Sequence, residues 1–240
     1  MRSYRSWSVF SKALALIAPL LVFQAQAVVN VDKTRLIFNE GEISQTLNLK
    51  NGQENPVIVQ IWSDEGDMML SPDISKTPLI ALPPVVKMYP GELRSVRIML
   101  TSKAQLAPDK ESLYWLNIYQ IPALAKSSEK AERKVVLPLR IRLKIFIRPA
   151  GVAAPRAEEV QKLRFVAQGN SLKIENPQPW FMNMRLRVGD KLRVDDVVVA
   201  PQSQQLIPLT ESLAPGEKVS FEVLNDNGNP VRYLGAITAS

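Results

Sequence analysis

The run from Val135 to Arg148 is the segment whose residue types and spacing most strongly suggest a function. Its odd positions up to Ile147 are large and aliphatic, and four of its even positions carry Arg or Lys. Because side chains of a β-strand alternate between faces, the run predicts one long strand with an apolar and a cationic side. Pro138 lacks a backbone donor, which predicts a sheet edge at that position. A long apolar edge strand promotes aggregation, so we expect this edge to pair with another chain.

Two basic residues are the candidate binding groups. Lys144 lies on the cationic side of this run, and Arg35 lies in an earlier predicted strand, Val31 to Phe38. A solvated surface charge is the simpler interpretation of any single Lys or Arg. The sequence alone does not bring the two residues together.

The amino-acid composition excludes several kinds of catalytic and metal-binding site. The chain has no Cys and no His, which excludes thiol and imidazole nucleophiles and the usual zinc sites. It contains no P-loop, dinucleotide fingerprint or nucleophile elbow, so we expect no enzyme activity, no cofactor and no metal. Carboxylate chemistry stays open, because the chain has 23 acidic residues. These acids are scattered among turn residues, as is usual for a solvated surface.

The first 27 residues have the pattern of a secretory signal peptide. Arg2, Arg5 and Lys12 precede or enter a mostly apolar stretch, and Ala25-Gln26-Ala27 is a small-x-small cleavage site. Cleavage would start the mature chain at Val28 and lower the net charge from +7 to +4. This modest excess gives no reason to expect a nucleic-acid partner. No later segment is long and apolar enough to predict membrane insertion of the mature chain.

The rest of the chain alternates short apolar runs with Gly, Pro, Asn and Asp, which predicts an all-β fold. The Pro- and Ala-rich segment after Arg148 is typical of an interdomain linker. We therefore expect two β-sandwich domains. The predicted boundaries are 1–27 for the signal peptide, 28–148 for the first domain, 149–157 for the linker and 158–240 for the second domain.

Five segments of this sequence resemble the periplasmic pilus chaperones of the chaperone–usher family. The first strand carries the pattern D-[RK]-T-R-x-x-[FY], and the other segments are spread, in order, over the rest of the mature chain. The matching segments are Val31 to Phe38, Asp109 to Asn117, Arg142 to Pro149, Ile174 to Trp180 and Asn225 to Val231. Their order and spacing together are more specific than any one of them.

The resemblance implies two immunoglobulin-like domains set as an L, with a cleft that binds the C-terminal carboxylate of a pilus subunit. Matched by motif, the carboxylate-binding residues are Arg35 and Lys144. The chemistry agrees, because two cations with few acids nearby hold a carboxylate by charge-assisted hydrogen bonds. Arg offers a planar fork and Lys a compact charge.

The resemblance also implies that the last strand of the first domain completes the unfinished sandwich of the subunit. The donated side chains would be Val135, Leu137, Leu139 and Ile141, whereas Leu143 to Ile147 are expected to fill the chain's own core. The simpler alternative is that all of these residues fill that core. Pro138 departs from the family pattern, because it removes one possible ladder bond.

An interdomain ionic cluster is the third site implied by the resemblance, and it maps to Glu111, Arg148 and Asp226. The alternative is three unrelated surface charges. The short loop from Pro122 to Lys134 and the lack of Cys resemble the short-loop branch of the family.

The function implied is that of a periplasmic, non-enzymatic chaperone. It would bind, fold and cap pilus subunits by donor-strand complementation and deliver them to an outer-membrane usher; the free protein could also self-associate through its edge. A secreted two-domain adhesin or carbohydrate-binding module is the main alternative, and it would expose clustered aromatic side chains. A carboxylate hydrolase is the third.

Overall fold

The protein is described by a computed structural model that covers residues 29–122 and 138–239. The predicted signal peptide and residues 123–137, which include Val135 and Leu137, lie outside the described residues. Within them, no helix has the length and apolar character needed to cross a membrane.

The first domain places two antiparallel-rich sheets face to face around one apolar core. One sheet has the strand order β1-β3-β7-β5, and the other has the order β2-β9-β8-β4-β6. The strands are β1 (Val29–Val31), β2 (Arg35–Phe38), β3 (Ser44–Asn51), β4 (Val57–Asp64), β5 (Leu79–Leu82), β6 (Val85–Met88), β7 (Leu93–Leu100), β8 (Ser112–Pro122) and β9 (Leu139–Ile147), with a short 3₁₀-helix at Pro72–Ile74.

The second domain is a seven-stranded sheet that folds around a separate core. Its strand order is β13-β12-β15-β16-β10-β11-β14, and β10 joins β16 in parallel. The elements are α1 (Ala157–Val160), β10 (Arg164–Gln168), β11 (Ser171–Asn176), β12 (Met182–Val188), β13 (Leu192–Val199), β14 (Ser203–Pro208), β15 (Lys218–Leu224) and β16 (Pro230–Ala239). In this core the rings of Phe165 and Phe221 lie 5.0 Å apart. The all-β prediction of two sandwich domains is confirmed.

The beginning of the described chain differs from the single strand expected there. β1 pairs with β3 in one sheet, whereas β2 pairs with β9 in the other. The chain changes sheets at the bend between them, where the carboxylate of Asp32 accepts hydrogen bonds from the backbone and side chain of Asn48. Arg35 therefore begins a second strand and stands beside β9.

The two halves of β9 have different surroundings. Lys144 to Ile147 lie between β8 and β2, so this half is inside the sheet. Residues 139–143 pair with β8 on one side only, and the structure describes no strand on their other side. The predicted edge is thus limited to the first half of β9, because β2 covers the second half.

Burial at the odd positions of β9 follows the expected pattern, whereas Phe146 on the opposite face is also buried, beside the cleft between the domains. Leu143, Ile145 and Ile147 are buried in the first core, which confirms their predicted place. Leu139 is 43% exposed, and Ile141 packs partly against the same core. The apolar side of the strand is therefore used by its own domain at one end and left open at the other.

Candidate functional site

Arg35 and Lys144 are neighbours on adjacent strands. They are direct partners in the parallel register of β2 and β9, and both side chains are half-buried. Lys144 Nζ donates to Oδ1 of Asn183 at 2.6 Å, and Arg35 Nη1 donates to the carbonyl oxygen of Leu224 at 3.4 Å. Both acceptors belong to the second domain, so the two cations lie in the cleft between the domains.

A cavity of about 60 Å³ opens beside Arg35 in this cleft. The Arg35 guanidinium lies 5.8 Å from the ring centre of Phe146, and its Nε is buried without a hydrogen-bond partner among the described residues. A buried N–H without a partner costs free energy that an incoming acceptor would recover. Residues that line the cavity include Arg35, Phe146, Asn183, Leu224 and Asp226.

The charges of the two cations are only partly compensated. Burial lowers the pKa of Lys144 below its ordinary value, and the nearby Arg35 lowers it further, while Asp196 opposes the shift. Burial also lowers the pKa of Arg35, against the attraction of Asp226 and Glu111. Neither cation forms a salt bridge with an acid in the described part of the chain. The arrangement is therefore suited to an anion that brings its own oxygens.

An aromatic side chain supports the lysine from the neighbouring strand. Trp115 is the partner of Lys144 in the β8–β9 register, and its ring centre lies 5.3 Å from Lys144 Nζ. The guanidinium of Arg142 lies 4.7 Å from the same ring and is paired with Asp64 at 2.5 Å. Cation–π contact favours a positive charge over the indole face, so Trp115 helps to fix the direction of the lysine.

The third predicted group, Glu111, Arg148 and Asp226, is brought together in the same cleft, where all three residues line the cavity beside Arg35. Arg148 is 4% exposed; its Nε donates to Glu111 at 3.0 Å, and its two terminal nitrogens donate to the Asp226 carboxylate at 2.8 and 2.6 Å. Arg148 and Glu111 come from the first domain and Asp226 from the second. The bidentate geometry is the strong form of this interaction.

Glu111 also connects the domains through backbone groups. Its Oε2 accepts from the Phe181 N–H at 2.9 Å, and its own N–H donates to the Pro179 carbonyl at 2.8 Å. Burial raises the pKa of Glu111 even though Arg148 and the Phe181 N–H favour the charged form. Burying a charged carboxylate costs free energy, and the ion pair with Arg148 offsets that cost for Glu111.

The loop between β15 and β16 holds Asp226 in place. Asn225 anchors this loop, because its side-chain oxygen accepts from the N–H groups of Asn227 and Asn229. Gly228 has φ of +80°, and a Cβ at this position would overlap the Thr34 hydroxyl of the first domain. A glycine is therefore required both by the backbone and by the contact.

Sequence reasoning missed several residues of the cleft. Asn183 and the Leu224 carbonyl were not anticipated, and Trp115 was noted only as part of a motif. One signal was available for Asn183, which lies in β12 between the buried residues Met182 and Met184. A polar residue inside such a run needs a specific partner. Backbone acceptors such as the Leu224 carbonyl leave no signal in side-chain types.

Comparisons with known proteins agree with this architecture. Residues 28–153 match the profile described as the pili and flagellar-assembly chaperone, PapD N-terminal domain, and residues 158–234 match that of the pili assembly chaperone PapD, C-terminal domain. The chain is 35% identical to the chaperone protein MrkB of Klebsiella pneumoniae over 205 residues, which cover 84% of this chain and 88% of that protein. It is 29% identical to the chaperone protein FimC of Escherichia coli K12 over 217 residues, 90% of this chain and 86% of that protein.

Two solved structures give the same result. A chain in the complex of the SafA pilin with the SafB chaperone of Salmonella enterica is similar at a TM-score of 0.75 and 26% identity, with 87% of this chain and 95% of that chain covered. The E. coli chaperone DraB is similar at a TM-score of 0.74 and 28% identity, with 88% and 96% covered.

Proposed function

Because the chain belongs to the PapD family of pilus-assembly chaperones, we propose that it captures pilus subunits in its interdomain cleft. Arg35 and Lys144 hold the C-terminal carboxylate of the subunit, and the open half of β9 pairs with the strand that leads to this carboxylate. The family role is non-enzymatic. The family favours this reading over an adhesin or a carbohydrate-binding module.

The observation that carries the proposal is the register of Arg35 with Lys144 at the inner end of the open edge. Two half-buried cations side by side repel each other, and among the described residues their side-chain hydrogen bonds go to neutral oxygens. A carboxylate supplies two oxygens and one negative charge, which satisfies both groups at once. The fixed end then sets the register of the added strand, in which a one-residue slip would turn every side chain to the wrong face.

The open edge supplies the rest of the affinity. Among the described residues, 139–143 of β9 are paired on one side only, and strand addition uses such unpaired backbone groups for main-chain hydrogen bonds. We propose Leu139 as a donated side chain, together with Val135 and Leu137, which lie outside the described residues. Ile141 shares its surface between the chain's own core and the subunit. The same edge offers a route to self-association of the free protein.

The cellular setting completes the proposal. We infer that residues 1–27 are removed on export, that the protein works in the periplasm, and that it delivers its subunits to an outer-membrane usher. The pilin complex of the structural neighbour SafB supports subunits as partners.

The ionic cluster of Glu111, Arg148 and Asp226 keeps the two walls of the cleft at a fixed distance from each other.

Peptide binding tests the proposed function. The probe is a fluorescent peptide with the sequence of the last strand of a pilus subunit that co-purifies with the protein, prepared with a free and with an amidated C-terminus. We expect the free-acid peptide to bind more tightly, by about tenfold or more, because amidation removes the charge that Arg35 and Lys144 hold. Equal affinities for the two peptides would refute carboxylate capture.

A substitution in the open half of β9 tests the donated side chain. Leu139→Glu is expected to weaken peptide binding at least tenfold, because an unpaired charge would enter the apolar groove of the complex. The free protein should change by no more than roughly 0.5 kcal/mol in stability, since Leu139 is 43% exposed. Fluorescence anisotropy and thermal unfolding measure the two effects.

Leu93→Glu is the matched control, because Leu93 is 68% exposed on β7 in the other sheet of the same domain. It should leave peptide affinity unchanged. If Leu139→Glu binds peptide normally, or if both variants weaken binding equally, Leu139 is not a donated side chain.

A further inference from the structure

Asn183 is the only described residue whose side chain accepts a hydrogen bond from Lys144. It lies in β12 of the second domain and is 3% exposed, with buried methionines on either side. The distance of 2.6 Å from Lys144 Nζ to its Oδ1 is short, as is usual for a donor that carries a charge. A buried amide needs partners, and this bond gives Asn183 one.

Asn183 is uncharged, and this matters for the carboxylate site at Arg35 and Lys144. An ammonium group has three N–H donors, so the bond to Asn183 leaves two for a ligand. Arg35 is treated in the same way, because its bond to the Leu224 carbonyl uses one of its five N–H donors. Both cations are thus directed into the cleft by oxygens that do not neutralise their charge.

We propose that Asn183 is the second-domain positioning residue of the carboxylate site, where its neutral oxygen directs the Lys144 ammonium toward the ligand and leaves its charge available. This inference rests on the proposed function of Arg35 and Lys144. It assigns part of the site to the second domain, so the affinity for a carboxylate depends on how the two domains are held together.

The charged groups around Lys144 define what removal of Asn183 would do. Arg35 on β2 disfavours the charged lysine, and Asp196 on β13 favours it. Trp115 on β8 contacts Lys144 without a net charge, and Arg142 on β9 lies over the same ring. Loss of the Asn183 oxygen removes a hydrogen bond to the charged form. The pKa of Lys144, already lowered by burial, should then fall further.

Two substitutions at this position separate charge from hydrogen bonding. Asn183→Asp places a competing carboxylate on Lys144, and we expect affinity for the free-acid subunit peptide to fall about tenfold to hundredfold. The amidated peptide should bind this variant and the wild type equally. Asn183→Leu keeps the size of the side chain and removes the acceptor, so the loss of free-acid affinity with rising pH should begin at a lower pH than in wild type.

Two controls make the result specific. Asn170→Asp adds the same charge to an exposed turn of the second domain and should leave affinity unchanged. In a Lys144→Ala background, Asn183→Leu should cause no further loss of free-acid affinity. Thermal unfolding of each variant checks that it is folded before binding is measured. If Asn183→Asp does not fold, Asn183→Leu is used to test the proposal.

The outcomes are distinct. If Asn183→Asp weakens the free-acid and amidated peptides equally, or if Asn183→Leu weakens binding in the Lys144→Ala background, the positioning role is wrong. An unchanged pH profile in Asn183→Leu would also contradict it. If wild type itself does not distinguish the two peptides, the proposed carboxylate capture fails, whatever the Asn183 variants do.

Discussion

Alanine at Arg35 or at Lys144 is expected to lower the affinity for a free-acid subunit peptide by about 30-fold to 5,000-fold. Truncating one partner of a buried, hydrogen-bonded charge pair costs about 2–5 kcal/mol of binding, which corresponds to this range. Each variant should fold, because both side chains are half-buried at a cleft and neither belongs to the apolar cores. Removing one of two adjacent cations even relieves their mutual repulsion in the free protein.

A double-mutant cycle with the amidated peptide measures the contact directly. If Lys144 binds the carboxylate, Lys144→Ala and amidation remove the same interaction, so their combined loss should be smaller than the sum of the separate losses. Lys87→Ala is the control, since Lys87 lies in β6 of the same sheet and contacts Tyr89 instead of the cleft. Additive losses would show that Lys144 does not contact the carboxylate.

Alanine at Glu111 is expected to cost roughly 3–5 kcal/mol of stability, because it leaves Arg148 with a partly uncompensated buried charge. Arg148 and Glu111 are both almost fully buried, and their ion pair is 3.0 Å long. Asp226→Ala should cost less, since the Asp226 side chain is 37% exposed and water screens its charge. Denaturant unfolding of the purified protein gives both values.

The rescue variant distinguishes charge from packing. Adding Arg148→Met to Glu111→Ala removes the buried charge that was left unpaired, so part of the lost stability should return. An unfolding midpoint for Glu111→Ala equal to that of wild type would mean that the ion pair contributes nothing. A double variant less stable than Glu111→Ala alone would show that Arg148 acts mainly through its packing.

The sequence predicted those features that depend on local alternation. The burial of Leu143, Ile145 and Ile147 follows from the period of two along β9, and the structure confirms it. The pairing of Arg35 with Lys144 could not be derived in this way, because a parallel contact between strands more than 100 residues apart leaves no local pattern. Only the family resemblance associated the two residues.

Other differences have equally physical causes. The bend between β1 and β2 was missed because the apolar run is interrupted only by Asp32 to Thr34, whose turn is stabilised by contacts with β3. β14 (Ser203–Pro208) was not expected, since half of its residues are polar, most are exposed, and its order comes from pairing with β11. The role of Asn183 could not be predicted because its contact with Lys144 forms only when the second domain packs across the cleft.

The place where β2 begins also determines which way an added strand can run. β2 is parallel to β9 and starts opposite Lys144, so a strand on residues 139–143 meets the first residue of β2 end to end. A strand parallel to β9 brings its carboxyl end to the two cations, whereas an antiparallel strand would bring an ammonium group to them and be repelled. An internal segment would collide with the backbone of β2. We therefore expect the cleft to select for strand polarity and for a true chain terminus before any side chain of the subunit is recognised.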